Sequence, residues 1–294
     1  MSRLRGIIPP LTTPFDENEN IDEDMLRAEV RYMIDQAHVA GIVVGGSTGE
    51  GHTLSTDELR RLAAIASEEA AGRVPVLVGI IVDSTRQAIE RARAVADLPV
   101  AALQITPVHY LFKPDDEMMF RHFAAVADAV GIPLMVYNVV PWSYCSPQLL
   151  TRIVTEVEGV IGVKQSAGDL KLLADLLLLL EGRGVVMSAV DALLYPSLVL
   201  GADGAIAAIL TAAPKLAMQL WEAVEKEDHA SALDCHKKLL RIWNAIQGDH
   251  LPANVKAAME LQGRPAGYPR SPMPRSTPPR VAAIRAALVG AGVL

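Results

Sequence analysis

The sequence predicts an α/β protein, a closed (β/α)8 TIM barrel over residues 1–212, with a C-terminal helical extension over 213–294 packed on it. Three observations predict this. Eight short β-branched or apolar runs alternate with stretches whose apolar residues recur at helical spacing. The runs stay apolar without a period of two, as in parallel strands covered on both faces. The alternation then stops after Ala213, and only helical patterns follow. Eight such units favour a closed barrel over the alternative, an open doubly wound sheet.

The elements follow in order. The run GIIPP around Ile7 leads to helical spacing over Asp24–Ala40, and GIVVGG from Gly41 to helical spacing over Thr56–Ala71. VPVLVGI from Val74 precedes a helix over Thr85–Ala96, and VAALQIT from Val100 precedes one over Asp115–Val130. IPLMVYN from Ile132, VIGVKQS from Val160 and VVMSA from Val185 are followed by helices over Pro147–Glu156, Leu170–Leu180 and Leu193–Leu200. GAIAAI from Gly204 is the eighth run. Beyond it lie helical patterns over Pro214–Lys226, His229–Ile246 and Ala253–Leu261, a connector RPAGYPRSPMPRSTPP, and a last helix near Arg280–Leu288. Helices beyond a barrel's need cover an open face or build an oligomer contact.

Composition narrows the function. Of 294 residues 51% are hydrophobic and 21% charged, enough for a large core and against disorder. Aromatics are 4%, so the core is mostly Val, Ile, Leu and Ala. A net charge of −7 argues against nucleic acid or an anionic membrane as partner. Two cysteines, Cys145 and Cys235, make no disulfide framework and suit a reducing cytoplasm. The N-terminus lacks the apolar stretch of a signal peptide, and Leu176–Leu180 is too short to span a bilayer.

In a barrel the working groups lie at the C-terminal ends of strands. That rule selects Thr12 and Thr13, the turn GGSTGEG (Gly45–Gly51), Thr106 to Tyr110, Tyr137 and Asn138, Lys164, Ser188 and Ile206. No His, Asp or Cys cluster among them has metal-ligand spacing, so no metal is expected. Lys164 ends an apolar run. Burial would lower its pKa, and a neutral amine attacks carbonyls to form a Schiff base. Taken alone, a lysine that snorkels at the barrel rim is the commoner case. The GGSTGEG turn can hold a carboxylate or phosphate through amides and hydroxyls, yet it is neither a P-loop nor a dinucleotide fingerprint. Tyr137 is either a core tyrosine with its hydroxyl satisfied or a proton relay to a substrate on the next strand.

Together the segments PPLTTPFDENENID, GGSTGEGHTLSTDE, TPVHYLFKP, YNVVP, GVKQSAGD and LGADGAIA resemble the dihydrodipicolinate synthase / N-acetylneuraminate lyase family of class I aldolases, from about residue 5 to 290. The resemblance implies that Lys164 forms a Schiff base with pyruvate or a related 2-oxo acid, with no cofactor beyond that covalent imine. It implies that Tyr137 relays protons and that Ser47 and Thr48 hold the substrate carboxylate, Ser47 also linking to Tyr137. The Ile206 carbonyl would lie near the bound ketoacid and Ser188 beside it. A tyrosine after strand four would cross to a neighbouring subunit of a homotetramer, a dimer of dimers; Tyr110 is the candidate and His109 the rival.

Departures from the family pattern concern the second substrate. Synthases of the family that condense pyruvate with aspartate semialdehyde typically carry an arginine in the loop after strand five; this chain reads YNVVPWSYCS. Trp142, Tyr144 and Cys145 would make that end aromatic and apolar. After strand seven SAVD stands in place of a paired acidic motif. Three readings result: a Schiff-base lyase of unassigned aldehyde, an authentic dihydrodipicolinate synthase of lysine biosynthesis, or a non-catalytic 2-oxo-acid-binding homologue.

Overall fold

The computed structural model describes residues 3–108 and 110–294. Eight parallel strands are β1 (Gly6–Ile7), β2 (Ile42–Val44), β3 (Val76–Ile80), β4 (Ala102–Ile105), β5 (Leu134–Asn138), β6 (Val160–Gln165), β7 (Val185–Ser188) and β8 (Gly204–Ala205). Helices α1 (Glu23–Asp35), α2 (Thr56–Ala70), α3 (Thr85–Ala94), α4 (Asp116–Val130), α5 (Pro147–Glu156), α6 (Leu170–Leu180) and α7 (Leu194–Val199) connect them. Helices α8 (Ala208–Ala212), α9 (Pro214–Glu225), α10 (His229–Ile246), α11 (Leu251–Leu261) and α12 (Pro278–Gly290) follow the last strand. No helix among the described residues is long and apolar enough to cross a membrane.

The sheet runs β1-β8-β7-β6-β5-β4-β3-β2. Its two ends meet at a seam beside Pro9 and Pro10, which have no N–H to donate to a ladder. The seam is closed by what remains: Val43 N–H donates to the Pro9 carbonyl at 3.0 Å and Leu11 N–H to the Val43 carbonyl at 2.8 Å. The strand–helix alternation is therefore a (β/α)8 barrel, as the spacing of the runs predicts. Several elements are shorter than expected, the first helix and the eighth strand most clearly. The first helix ends at Asp35 rather than Ala40, because His38 adopts φ +55° and turns the chain into β2. The eighth run pairs over two residues only, since helix α8 starts at Ala208.

Helices α1 to α6 each start at a side chain that accepts an otherwise unpaired N–H. Ser55 and Glu58 form a reciprocal capping box on α2, and Asp115, Ser146 and Asp169 cap α4, α5 and α6. Three apolar cores result. Ile8, Val43, Leu77, Ala102, Met135 and Met187 fill the barrel interior. A second core lies between strands and surrounding helices over the first six units. A third joins Ile7 and the seventh and eighth units to the C-terminal helices. Pairs of buried or half-buried charges tie the extension back to the first barrel units: Lys256–Glu50, Arg264–Glu29 and Arg270–Glu58.

Candidate active site

Strand register decides which side chains enter the barrel. Successive residues of a strand face opposite sides, and residues in register on parallel neighbours face the same side. Lys164 is in register with Tyr137 on β5 and Met187 on β7, so all three face the barrel interior. Below Lys164, Gly162 leaves no room for a side chain: an added Cβ would lie 2.1 Å from the Val185 carbonyl oxygen.

Lys164 is 3% exposed, and its Nζ lies 3.7 Å from the centre of the Tyr137 ring. It makes no hydrogen bond or ion pair among the described residues. Burial therefore pulls the ammonium down from its ordinary pKa to about 7, only partly offset by the carboxylate of Asp191. A large fraction of the amine is neutral near physiological pH, the state that attacks a carbonyl. Tyr137 is also buried, and burial pushes its phenol up to about 12, against a hydrogen bond with Ser47. It stays protonated, and its hydroxyl donates to Ser47 Oγ at 3.1 Å. Tyr137 thus links the strand bearing the lysine to the glycine-rich turn.

That turn is rigid for backbone reasons. Gly49 and Gly51 N–H both donate to the Gly46 carbonyl at 3.0 Å, and Glu50 N–H donates to Ser47 at 3.1 Å. Thr13 Oγ1 donates to the Gly49 carbonyl at 2.6 Å. A Cβ on Gly51 would lie 1.8 Å from the Gly45 carbonyl, so only glycine lets the loop fold back on itself here. Ser47 and Thr48 face the cavity with Pro10, Tyr137, Lys164 and Ile206. The cavity has a volume of about 470 Å3.

Asp191 is a site residue that strand-end counting passes over. It lies three residues beyond β7 in a single 3-10 turn, Asp191–Leu193. It lines the cavity, and its Oδ1 accepts the Ile209 N–H at 2.7 Å. Burial raises its pKa to about 6; the Ile209 bond and the field of Lys164 oppose that rise. The only sequence signal for it is a lone acid just past an apolar strand. The opposite wall was also outside the strand-end rule. Asp249, Leu251 and Pro252, before and within α11, and Met273 of the proline-rich connector come from the extension.

Other expected residues fall elsewhere. Ser188 is in register with Gln165, and Gln165 with Asn138; that row faces away from the barrel interior. Ser188 is fully buried, its hydroxyl has no hydrogen-bond partner among the described residues, and Ala189 lines the cavity instead. Tyr110 is 77% exposed and outside the cavity of this chain. Its rival His109 lies outside the described residues.

The aromatic mouth expected from Trp142, Tyr144 and Cys145 does not form in this chain. A 3-10 turn, Pro141–Ser143, leaves Trp142 64% exposed. Asn138 clamps the Cys145 backbone through bonds of 2.9 and 3.2 Å, burying its thiol in the helix-facing core. The Tyr144 hydroxyl donates to the Ser166 carbonyl at 3.4 Å, and Tyr144 is absent from the cavity lining. The far end of the cavity is apolar through Val139, Ala207, Leu251 and Met273; the acids Asp191 and Asp249 and the imidazole of His52 also line the cavity. No group of three His, Cys, Asp or Glu side chains suited to a metal ion occurs among the described residues.

The arrangement can therefore present a neutral amine to a carbonyl, hold an adjacent carboxylate on the Ser47–Thr48 turn, and move protons through Tyr137. Comparison with known proteins points the same way. Residues 3–288 match the model of the dihydrodipicolinate synthetase family. A 4-hydroxy-tetrahydrodipicolinate synthase of Methanopyrus kandleri is 35% identical over 92% of this chain and 91% of its own. One from Bradyrhizobium diazoefficiens is 35% identical over 100% of this chain and 98% of its own. Among solved structures, YagE of E. coli K12, a prophage protein of the dihydrodipicolinic acid synthase family in complex with pyruvate, superposes with a TM-score of 0.94 at 28% identity, covering 99% of each chain.

Proposed function

The chain belongs to the dihydrodipicolinate synthetase family, and from that premise we propose that it is a class I aldolase or lyase acting on pyruvate or a related 2-oxo acid. The carrying observation is a buried, unpaired lysine on β6 held 3.7 Å from the Tyr137 ring. The Lys164 amine adds to the ketone carbon, and the resulting carbinolamine loses water to give an iminium ion. The iminium withdraws electrons, so a proton or a carbon fragment leaves the adjacent carbon as an enamine forms. Reversal of that step with an aldehyde makes the new carbon–carbon bond. The imine is the only prosthetic link the reaction needs. Tyr137 carries protons between the substrate oxygen and Ser47, while Ser47 and Thr48 hold the carboxylate and the Ile206 carbonyl borders the ketoacid.

Borohydride added with pyruvate should increase the mass of the peptide containing Lys164. An unmodified peptide at saturating pyruvate would end this reading.

The names of the relatives favour a second, narrower reading, 4-hydroxy-tetrahydrodipicolinate synthase. Against it stands the cavity lining, where Lys164 is the one lysine or arginine among the described residues. A carboxylated aldehyde would meet Asp191 and Asp249 with no lysine or arginine besides Lys164 among the described lining residues to pair it, and unpaired buried charge is costly. A coupled assay of pyruvate with aspartate semialdehyde, beside an uncharged aldehyde, decides between the readings; preference for the carboxylated aldehyde establishes the synthase.

The exposed Tyr110, Leu111 and Phe112 support a homotetramer in which this loop meets a second copy. Two free, buried cysteines suit a cytoplasmic setting. Native mass spectrometry checks the assembly.

A further inference from the structure

Glu50 has no place in the reaction as described, yet it is the most completely buried acid near the site. It stands three residues after Ser47, closes the glycine-rich turn at φ +56°, and has no exposed surface. Its carboxylate accepts from Lys256 Nζ at 2.7 Å and from the Arg270 backbone N–H at 2.9 Å. Lys256 is as buried as its partner and also donates to the Tyr268 carbonyl at 2.5 Å. The Arg270 guanidinium continues the contact along the same segment, to the Thr53 carbonyl and the Glu58 carboxylate. All these donors belong to the extension, and α11, which carries Lys256, also places Leu251 and Pro252 against the cavity.

An ion pair of this kind is a weak source of stability, because desolvation cancels most of its attraction; its best-attested use is to fix one arrangement over others. Here it fixes the turn that carries Ser47 and Thr48. Neither Glu50 nor Lys256 lines the cavity. We infer that Glu50 and Lys256 are positioning residues: their pair clamps the carboxylate-holding turn to the C-terminal extension, making the extension a working part of 2-oxo acid binding. The inference rests on the Schiff-base reading above.

A second buried pair provides the control. Arg264 and Glu29, 2.9 Å apart, also join the extension to the barrel but do not touch the turn. The double variant Glu50→Gln with Lys256→Met removes both charges together and leaves no ion unpaired. It should fold, raise KM for pyruvate about tenfold and change kcat little, the pattern of lost uniform binding. Borohydride trapping on Lys164 should then need more pyruvate yet reach completion. The control double variant Glu29→Gln with Arg264→Met should shift the thermal midpoint while KM stays as in the unmodified enzyme.

An unchanged KM in the first double variant, or an equal rise in the control, overturns the inference. If the first double variant does not fold, Glu50→Gln alone, which still accepts from Arg270, is measured against the same two outcomes. Trapping in the unmodified enzyme is run alongside, and its failure would strike the Schiff-base reading rather than the clamp.

Discussion

Two lysines are buried among the described residues, and they differ in what surrounds them. Lys164 and Lys256 are 3% and 2% exposed, and each ammonium lies near an aromatic ring, Tyr137 at 3.7 Å and Phe15 at 5.0 Å. Lys256 has a carboxylate and a carbonyl within hydrogen-bond distance. Lys164 has neither, and feels Asp191 only through its field. Burial lowers the pKa of both, but Glu50 opposes the fall at Lys256, while at Lys164 it proceeds to about 7. Burial alone therefore does not free a lysine's amine. Burial without a hydrogen-bonded counter-charge favours the neutral form that a Schiff base needs.

The comparison breaks most visibly at the covalent step. Lys164→Ala should abolish both turnover and the borohydride-trapped pyruvate adduct, whereas Lys256→Met should keep the adduct on Lys164; mass spectrometry of the two variants reads this directly. Loss of the adduct in Lys256→Met at saturating pyruvate would erase the distinction. Next in size is the relay. Tyr137→Phe should lower turnover by roughly two to four decades, the scale of one positioned acid/base group, measured as steady-state kcat.

Stability should separate the lysines in sign. Lys256→Met leaves Glu50 buried without its cation, which typically costs about 3–5 kcal/mol, so its thermal midpoint falls. Lys164→Met should raise the midpoint at pH 7. Folding lowers the pKa of Lys164 from 10.5 to about 7, so the unfolded chain binds more protons between those values. This opposition to folding is complete below about pH 7 and fades as pH rises towards 10.5, so the gain from Lys164→Met should fade over the same window. Thermal scans of both variants at neutral and alkaline pH check the signs; destabilisation by Lys164→Met would contradict the picture.

The smallest effect concerns Asp191. The rate of adduct formation should rise with pH through about 7 as the amine is freed. Asp191→Asn removes the one charge that favours the ammonium and should move that rise to lower pH. A move to higher pH would mean that Asp191 serves the amine in another way.

Much of this was legible from residue order. The β/α rhythm located the eight strands, and counting to strand ends reached Lys164, Tyr137, Ser47, Thr48 and Ile206, all of which line one cavity. The facing of Ser188 was not legible, because strands apolar on both sides carry no alternation from which to read it. Only the pairing of Ser188 with Gln165 reveals that it faces away from the cavity. The extension's share of the site was hidden for a different reason. Lys256 pairs with Glu50, 206 residues earlier, and Leu251 and Met273 share a cavity with Ser47; no local pattern encodes proximity at that separation. Asp191 falls between the cases, since its position past β7 was visible but its proximity to Lys164 was not.

The seam of the barrel bears on how the chain is made. Strand β1 pairs with β8, Gly6 with Gly204 and Ile7 with Ala205, and Arg5 binds Glu225. Ile7 belongs to the core formed with the C-terminal helices. On a ribosome the first strand thus emerges long before β8, by roughly 10–40 s at ordinary synthesis rates. Through that interval the side of GIIPP that pairs with β8 is an open apolar edge, and its two prolines, with no N–H to offer, make it a poor template for another strand. The same residues that leave the finished barrel with a seam protect the nascent chain until the seam can close.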